Sequence, residues 1–137
     1  MLRISGLVIL SLALLLGCNK GPSLIDVPGT VKIDGTATDG VNLIFFPEKG
    51  GNPSSAVSEN GGKFKVVTDM NPGLPAGNYS VTATYPDPAV KPTDSQRMQG
   101  LFEPGPDLLK GKYQSKDKGV KIEVSSSTKE LTIELKK

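Results

Sequence analysis

The sequence of 137 residues contains no histidine, no tryptophan and only one cysteine. Without histidine, the chain lacks the side chain that most often acts as a general base or a zinc ligand near neutral pH. A single cysteine cannot form an intrachain disulfide. These absences argue against most classes of enzyme and metalloprotein, and we expect no catalytic residue, no metal site and no cofactor.

Neither sign of charge is in large excess, since sixteen Lys and Arg residues against fourteen Asp and Glu residues give a net charge of +2. Nucleic-acid-binding domains usually carry a strong basic excess, so we expect no nucleic-acid partner. Asp34, Asp39 and Asp69 lack the Asp-x-Asp-x-Asp-Gly spacing of a calcium loop. We interpret them as turn-forming residues.

An apolar stretch at residues 4–16 follows Arg3 and ends at Gly17-Cys18. A basic start, an apolar run and small residues at its end are the layout of a secretory signal. The run of about thirteen residues is too short to cross about 30 Å of hydrocarbon as a helix. We therefore expect residues 1–17 to be a cleaved signal peptide, which leaves enough chain for one domain.

The sequence Leu15-Leu16-Gly17-Cys18 resembles the bacterial lipobox, although a smaller residue often stands where Leu16 is. The resemblance implies that Cys18 becomes the first mature residue and carries acyl chains such as palmitate, which together anchor a protein firmly. It places the protein in the cell envelope. Asn19, where Asp would resemble an inner-membrane retention signal, favours the outer membrane. The alternative is a secreted protein with an incidental cysteine.

Apolar and polar residues alternate with a period of two along the mature chain, as is typical of half-buried strands. This pattern marks seven short segments, at residues 31–33, 41–45, 56–58, 64–66, 79–85, 120–124 and 131–135. Seven such strands bury their apolar faces most economically in two stacked sheets. We predict an all-β fold, a seven-stranded two-sheet β-sandwich over residues 26–137 after a tether at 18–25. An α+β domain is the alternative.

Residues 86–119 form a long segment without alternation that holds five of the eleven prolines. It is longer than most connections in a compact domain, so it is either functional or mobile. Its apolar residues predict that part of it packs on the sandwich, with 86–99 the looser half and one helical turn near 107–110. Aromatic and basic side chains in or beside it are candidates for partner binding: Tyr85, Lys91, Arg97, Phe102, Lys110 and Tyr113.

Four stretches of the mature chain carry a resemblance to a known family, at residues 27–35, 41–47, 59–64 and 74–81. In order and spacing they resemble the bacterial carboxypeptidase-regulatory-like domains. That resemblance implies a transthyretin-like sandwich with immunoglobulin-like Greek-key connections over about residues 27–135. The matching positions are turn and core positions, so they indicate a fold rather than an activity.

Together these features predict a membrane-anchored, non-catalytic lipoprotein whose β-sandwich acts in binding or structural support in the cell envelope. Its partners would be the membrane, through the lipid, and an envelope protein or glycan. The alternative is an accessory carbohydrate- or peptide-binding module for a separate enzyme. An enzyme in its own right is disfavoured because neither a base nor a metal-ligand set is visible.

Overall fold

The computed structural model describes residues 21–137, so the predicted signal peptide at 1–17 and the predicted lipidation of Cys18 lie outside the described residues. Strand accounts for 43% of the structure and helix for 8%. The prediction of an all-β fold is therefore confirmed, and the two sheets pack in the manner of a sandwich.

Twelve strands lie in the described part of the chain. They are β1 (Leu24–Ile25), β2 (Pro28–Ile33), β3 (Thr36–Ala37), β4 (Asn42–Pro47), β5 (Ser54–Val57), β6 (Lys63–Lys65), β7 (Val67–Thr68), β8 (Asn71–Pro72), β9 (Leu74–Pro75), β10 (Gly77–Thr84), β11 (Val120–Val124) and β12 (Leu131–Leu135). An α-helix, α1 (Asp94–Gln99), and a 3-10 helix (Lys116–Lys118) complete the set for this range. Each of the seven predicted segments contains strand, but the predicted count of seven strands is not confirmed. The additional strands have two residues each, too few to show alternation.

The larger sheet is antiparallel and has the order β11-β10-β4-β5-β7-β8. Its longest strand is β10, which pairs with β11 over residues 77–81 and with β4 over residues 79–84. Alternate side chains of these strands, such as Val81 and Phe45, point into the core and are fully buried. The alternation that predicted the strands thus also predicted the buried face.

The second sheet is built around β2, which pairs in parallel with β12 on one side and antiparallel with β3 and β6 on the other. Gly29, in β2, lies opposite Phe64, and a Cβ at Gly29 would overlap the Phe64 ring. The glycine is therefore needed for close approach of an aromatic ring to the backbone. A separate pair, β1 with β9, brings Leu24 and Ile25, which were predicted to lie in the tether, into the folded structure.

Residues from both sheets form one hydrophobic core. Phe45 of the larger sheet and Phe64 of the second sheet have ring centroids 6.0 Å apart and planes inclined by 44°. Buried hydroxyls in this core are paired: Thr68 donates to the carbonyl of Gly73 at 2.6 Å, so Ser54 donates to Thr68, also at 2.6 Å. Since burial of an unpaired hydroxyl is costly, these bonds allow Ser54 and Thr68 to be buried.

The described N-terminus and the long segment lie at opposite ends of β10. Leu24 pairs with Pro75, two residues before β10 begins at Gly77, whereas the long segment follows β10 directly after Thr84. Eight residues of strand span about 26 Å at about 3.3 Å per residue. We call the end near Gly77 the tether end and the end near Thr84 the loop end.

We expect Val81→Asp to abolish cooperative folding, because Val81 is fully buried between its strand partners Phe45 and Val120. An unpaired carboxylate at this position costs several kcal/mol. Thermal unfolding followed by circular dichroism measures the effect. Asn42→Asp, an exposed position on β4, is the matched control and is expected to change stability by less than about 0.5 kcal/mol. A Val81→Asp protein that melts like the wild type would show that the inward face is misassigned.

Candidate functional site

The segment at residues 86–119 divides at Asp107 into two parts with different surroundings. Pro86 forms an isolated bridge with Asp107, and the backbone N–H of Asp87 donates to the carbonyl of Pro106 at 3.0 Å. These contacts close a neck. Residues 88–105 extend beyond the neck as an excursion that we call the arm, whereas residues 107–119 return along β10.

The returning part completes the edge of β10 that β11 leaves open. Beyond Val81, where β11 stops pairing, the N–H of Ala83 donates to the carbonyl of Tyr113 at 3.0 Å. The N–H of Leu108 donates to the carbonyl of Tyr85 at 2.8 Å. The Leu109 side chain enters the hydrophobic core. The prediction that part of the long segment packs on the sandwich is correct for this part.

The same part of the chain also covers the outer face of β10. The Ser80 hydroxyl donates to the carbonyl of Lys116 at 2.5 Å, and Ser80 and Thr82 are buried although they point away from the core. The Lys116 ammonium lies 4.5 Å from the centroid of the Phe46 ring, within the range of a cation–π interaction. Residues 107–119 therefore have a structural role as a cover for β10.

Asp107 organises this return through four hydrogen bonds to its carboxylate. Oδ1 accepts from the N–H groups of Tyr85, at 2.8 Å, and Leu109, at 3.0 Å. Oδ2 accepts from the N–H of Gly111 at 2.9 Å and from the side-chain amide of Gln114 at 3.3 Å. The Asp107 side chain thus joins the C-terminal end of β10 to residues 107–119.

The pKa of Asp107 reflects this environment. Partial burial raises the pKa, but the hydrogen bonds from the amides of Tyr85, Gly111 and Leu109 and from Gln114 together outweigh it and hold the pKa below its ordinary value of 3.8. The carboxylate is therefore ionised at neutral pH. It acts as an acceptor, not as a proton donor.

The helical turn predicted near residues 107–110 is wrong, and the α-helix lies in the arm instead. The Asp107 side chain takes up the amides of the following residues, and Lys110 has a φ of 54°, which ends any helix. Helix α1 begins after Thr93, whose hydroxyl accepts from the N–H of Gln96 while the Gln96 side chain accepts from the N–H of Thr93. Gly100 ends it in the left-handed conformation. A Thr-x-x-Gln capping box followed by glycine was the sequence signal for this helix.

The arm carries apolar side chains that the sandwich does not cover. No residue of α1 is buried, and Met98 and Leu101 are 88% and 66% exposed. Val90 is also exposed, and its side chain approaches Gly105 so closely that a Cβ there would overlap it. Contacts within the arm therefore shape it. The sandwich does not bury Met98 or Leu101, so only another molecule could cover them.

The six candidate binding residues fall into two groups. Three lie at the loop end: Tyr85 and Lys110, which bond to Asp107, and Tyr113, which bonds to Ala83. Three lie on the arm: Lys91, Arg97 and Phe102. Both tyrosines pack against the core, and the Tyr113 hydroxyl accepts from the N–H of Lys136 at 3.0 Å, so their role is structural. Sequence reasoning missed Asp107, Met98 and Leu101.

Two grooves open on the described surface, and none of the six candidates lines either of them. The first, of about 440 Å³, lies beside β2 and β6 and combines apolar and charged side chains, among them Pro28, Phe64, Lys63, Lys65, Glu59 and Glu130. The second, of about 330 Å³, lies at the tether end and includes Pro22, Lys49, Asp69 and Ala76. The first groove has the mixed lining that small-ligand sites use.

Comparison with family models, with curated proteins and with solved structures finds no match to the chain. Within residues 21–137, no helix is long and apolar enough to span a membrane. In the same range, no three acidic or cysteine side chains lie close enough together to hold a metal ion.

We expect Asp107→Asn to loosen residues 107–119. An amide can still accept two N–H groups through its oxygen, but its NH₂ group would face the donors of Gly111 and Gln114. The expected loss of stability is about 1 to 3 kcal/mol. It is measured by thermal unfolding together with amide exchange of Leu109 and Ala83. Asp117→Asn, at an exposed carboxylate in the 3-10 helix, is the matched control and is expected to have no effect.

The same carboxylate gives the stability a pH dependence. Because its pKa is lower in the folded chain than in the unfolded chain, its contribution is complete above the unfolded value near 3.8 and is lost as the pH falls through the folded value. The difference in stability between the wild type and Asp107→Asn should therefore shrink in acid. A difference that stays constant from pH 7 to pH 2 would contradict the role assigned to the ionised carboxylate.

Proposed function

We propose that this chain is a lipid-anchored, non-catalytic protein of the cell envelope that binds a partner through its arm. Lipidation at Cys18 supplies the anchor. The β-sandwich, with the transthyretin-like Greek-key arrangement that its sequence resembles, is the rigid support. The partner is an envelope protein or a glycan. We favour the outer membrane as the site of anchoring.

The observation that carries this proposal is the exposure of large apolar side chains on a segment that folding does not require. Met98 and Leu101 stand on the arm, at the loop end, and contribute nothing to the core. The neck at Asp87 and Pro106 would allow the arm to be shortened without breaking the return through Asp107. Loops held on a rigid sheet are where binding residues commonly lie.

Position also supports the proposal. The tether end and the loop end are separated by the length of β10, about 26 Å by strand geometry. A chain held to a bilayer at Cys18 is therefore held at the end opposite the arm. That arrangement leaves the arm accessible to a partner in the envelope.

The anchor is tested by Cys18→Ser. We expect the wild-type chain to enter the detergent phase in detergent partitioning and Cys18→Ser to remain in the aqueous phase, because the acyl chains are attached to that sulfur alone. Metabolic labelling with a radioactive fatty acid should label the wild type only. Ser23→Cys in the Cys18→Ser background, which restores a thiol at a different position, is the control and should not restore partitioning. Equal partitioning of wild type and Cys18→Ser would overturn the anchor.

The arm is tested by photo-crosslinking in intact cells from a probe placed at Arg97. We expect a defined adduct that is lost in the double variant Met98→Ser, Leu101→Ser, which retains the charges and the capping box of α1. Val67→Thr, at an exposed apolar position on β7 that lines neither groove, is the matched control and should leave the adduct unchanged. An adduct whose yield is unchanged in the double variant would move the binding surface elsewhere.

The first groove favours a second candidate function, an accessory module that binds a carbohydrate or a peptide for a separate enzyme. Its lining places Phe64 beside Lys63, Lys65 and Glu130, which suits a ligand with apolar and charged groups. Chemical-shift mapping with envelope oligosaccharides and short peptides distinguishes the two. Shifts confined to the groove favour the accessory module, whereas shifts confined to the arm favour the first proposal.

A further inference from the structure

The most exposed large apolar side chain of the described residues is Met70, at 96%. It stands at the tip of the hairpin that joins β7 to β8, where Val67 pairs with Pro72 and Thr68 with Asn71. The two connecting residues, Asp69 and Met70, have φ values of 47° and 67°. This is a two-residue hairpin with both central residues in the left-handed region, the geometry that normally selects Asn-Gly or Asp-Gly.

Folding alone does not account for methionine at this position. A side chain in the left-handed region costs free energy that glycine would avoid. Met70 gains no burial in return, since it has almost its full surface in contact with solvent. A strained backbone that displays an apolar group is an observation that points to function.

The hairpin tip lies at the tether end. The Asn52 side-chain amide donates to the Asp69 carboxylate at 3.4 Å, which fixes the tip against the loop after β4. Asp69 also lines the same groove as Pro22 and Lys49. The tip, a lysine and the first described residues of the chain therefore share one end of the sandwich.

The chain leading to Cys18 is short. Four residue steps separate Cys18 from Pro22, a reach of at most about 14 Å in a fully extended chain. A lipid on Cys18 would thus hold the tether end within about that distance of the bilayer surface. An exposed apolar side chain at this end lies within reach of the membrane, whereas Met98, at the loop end, does not.

We propose that Met70 inserts into the interfacial layer of the phospholipid bilayer that holds the chain, as a second contact beside the acyl chains. The proposal rests on the proposed lipidation of Cys18. Lys49, in the groove shared with Pro22, faces the phosphate groups of the lipid heads at the same end. Two contacts orient the sandwich, whereas a single attachment point would leave it free to rotate. They direct the arm away from the lipid.

Methionine oxidation tests the insertion without a substitution at either position. The proposed mature sequence contains only Met70 and Met98, so each rate is assigned to one residue. Both react readily with hydrogen peroxide when exposed to water. The full chain is purified from membranes, reconstituted into vesicles of phosphatidylethanolamine and phosphatidylglycerol, and oxidised, and each sulfoxide is quantified by mass spectrometry. We expect Met70 to react about tenfold more slowly than Met98, given the apolar area of one methionine.

The Cys18→Ser chain, which stays in solution, is the reference and should oxidise at both methionines at similar rates. If wild type and Cys18→Ser bind the vesicles equally, the proposed anchor fails. If the wild type is anchored and Met70 reacts as fast as Met98, the anchor stands and the insertion is overturned. The two failures are therefore distinguishable.

A substitution that cannot harm the fold gives a second measurement. Met70→Gly relieves the left-handed backbone and removes the apolar group, so it should be at least as stable as the wild type. In reconstituted vesicles it should be cleaved by trypsin after Lys49 several-fold faster than the wild type. Met98→Gly is the matched control and should leave that rate unchanged. Equal cleavage of Met70→Gly and the wild type would contradict the insertion.

Discussion

Burial of β10 on both faces is the constraint on which the rest of the structure depends. Its inward side chains, such as Tyr79 and Val81, form the core, while Ser80 and Thr82 on the other face are buried as well. Buried hydroxyls and backbone amides need partners. β4 and β11 supply partners for most of the strand but leave one edge open beyond Val81. The chain that follows β10 must therefore return to this edge and supply the missing hydrogen-bond partners.

Asp107 makes that return possible and at the same time isolates the arm. Since its carboxylate binds Tyr85 at the start of the excursion and Gly111 after its end, the intervening residues are not needed to hold the sheet together. The neck at Asp87 and Pro106 has the same effect. An excursion closed at its base can change in sequence and length at little cost to stability, because loop closure depends only weakly on loop length. Residues 107–119 thus complete the sheet, whereas the arm is not required for folding.

The sequence predicted those features that depend on local periodicity and missed those that depend on distant partners. Alternation located the seven longer strands because each presents one face to the core. The parallel pairing of β12 with β2 has no local signature, since a hundred residues separate Leu131 from its partner Gly29. Likewise, an aspartate before Leu108 and Leu109 suggests a helix start, but its carboxylate also binds the distant N–H of Tyr85, and Lys110 adopts a left-handed conformation. The Thr93 capping box, in contrast, was local and could have been found.

At some exposed positions of the sandwich, the requirements of folding do not explain which residue is present. Residues of the core and of the return gain burial or hydrogen bonds for the conformations they adopt, as Asn60 and Gly62 do in a turn whose amides bind Asp39. Met70 adopts an unfavourable conformation and gains no burial, and Met98 is exposed on a helix that contributes nothing to the core. These two positions lie at opposite ends of β10. Apolar groups displayed at both ends of a rigid sheet are what the two proposed contacts require, one with lipid and one with a macromolecular partner, and folding alone does not account for them.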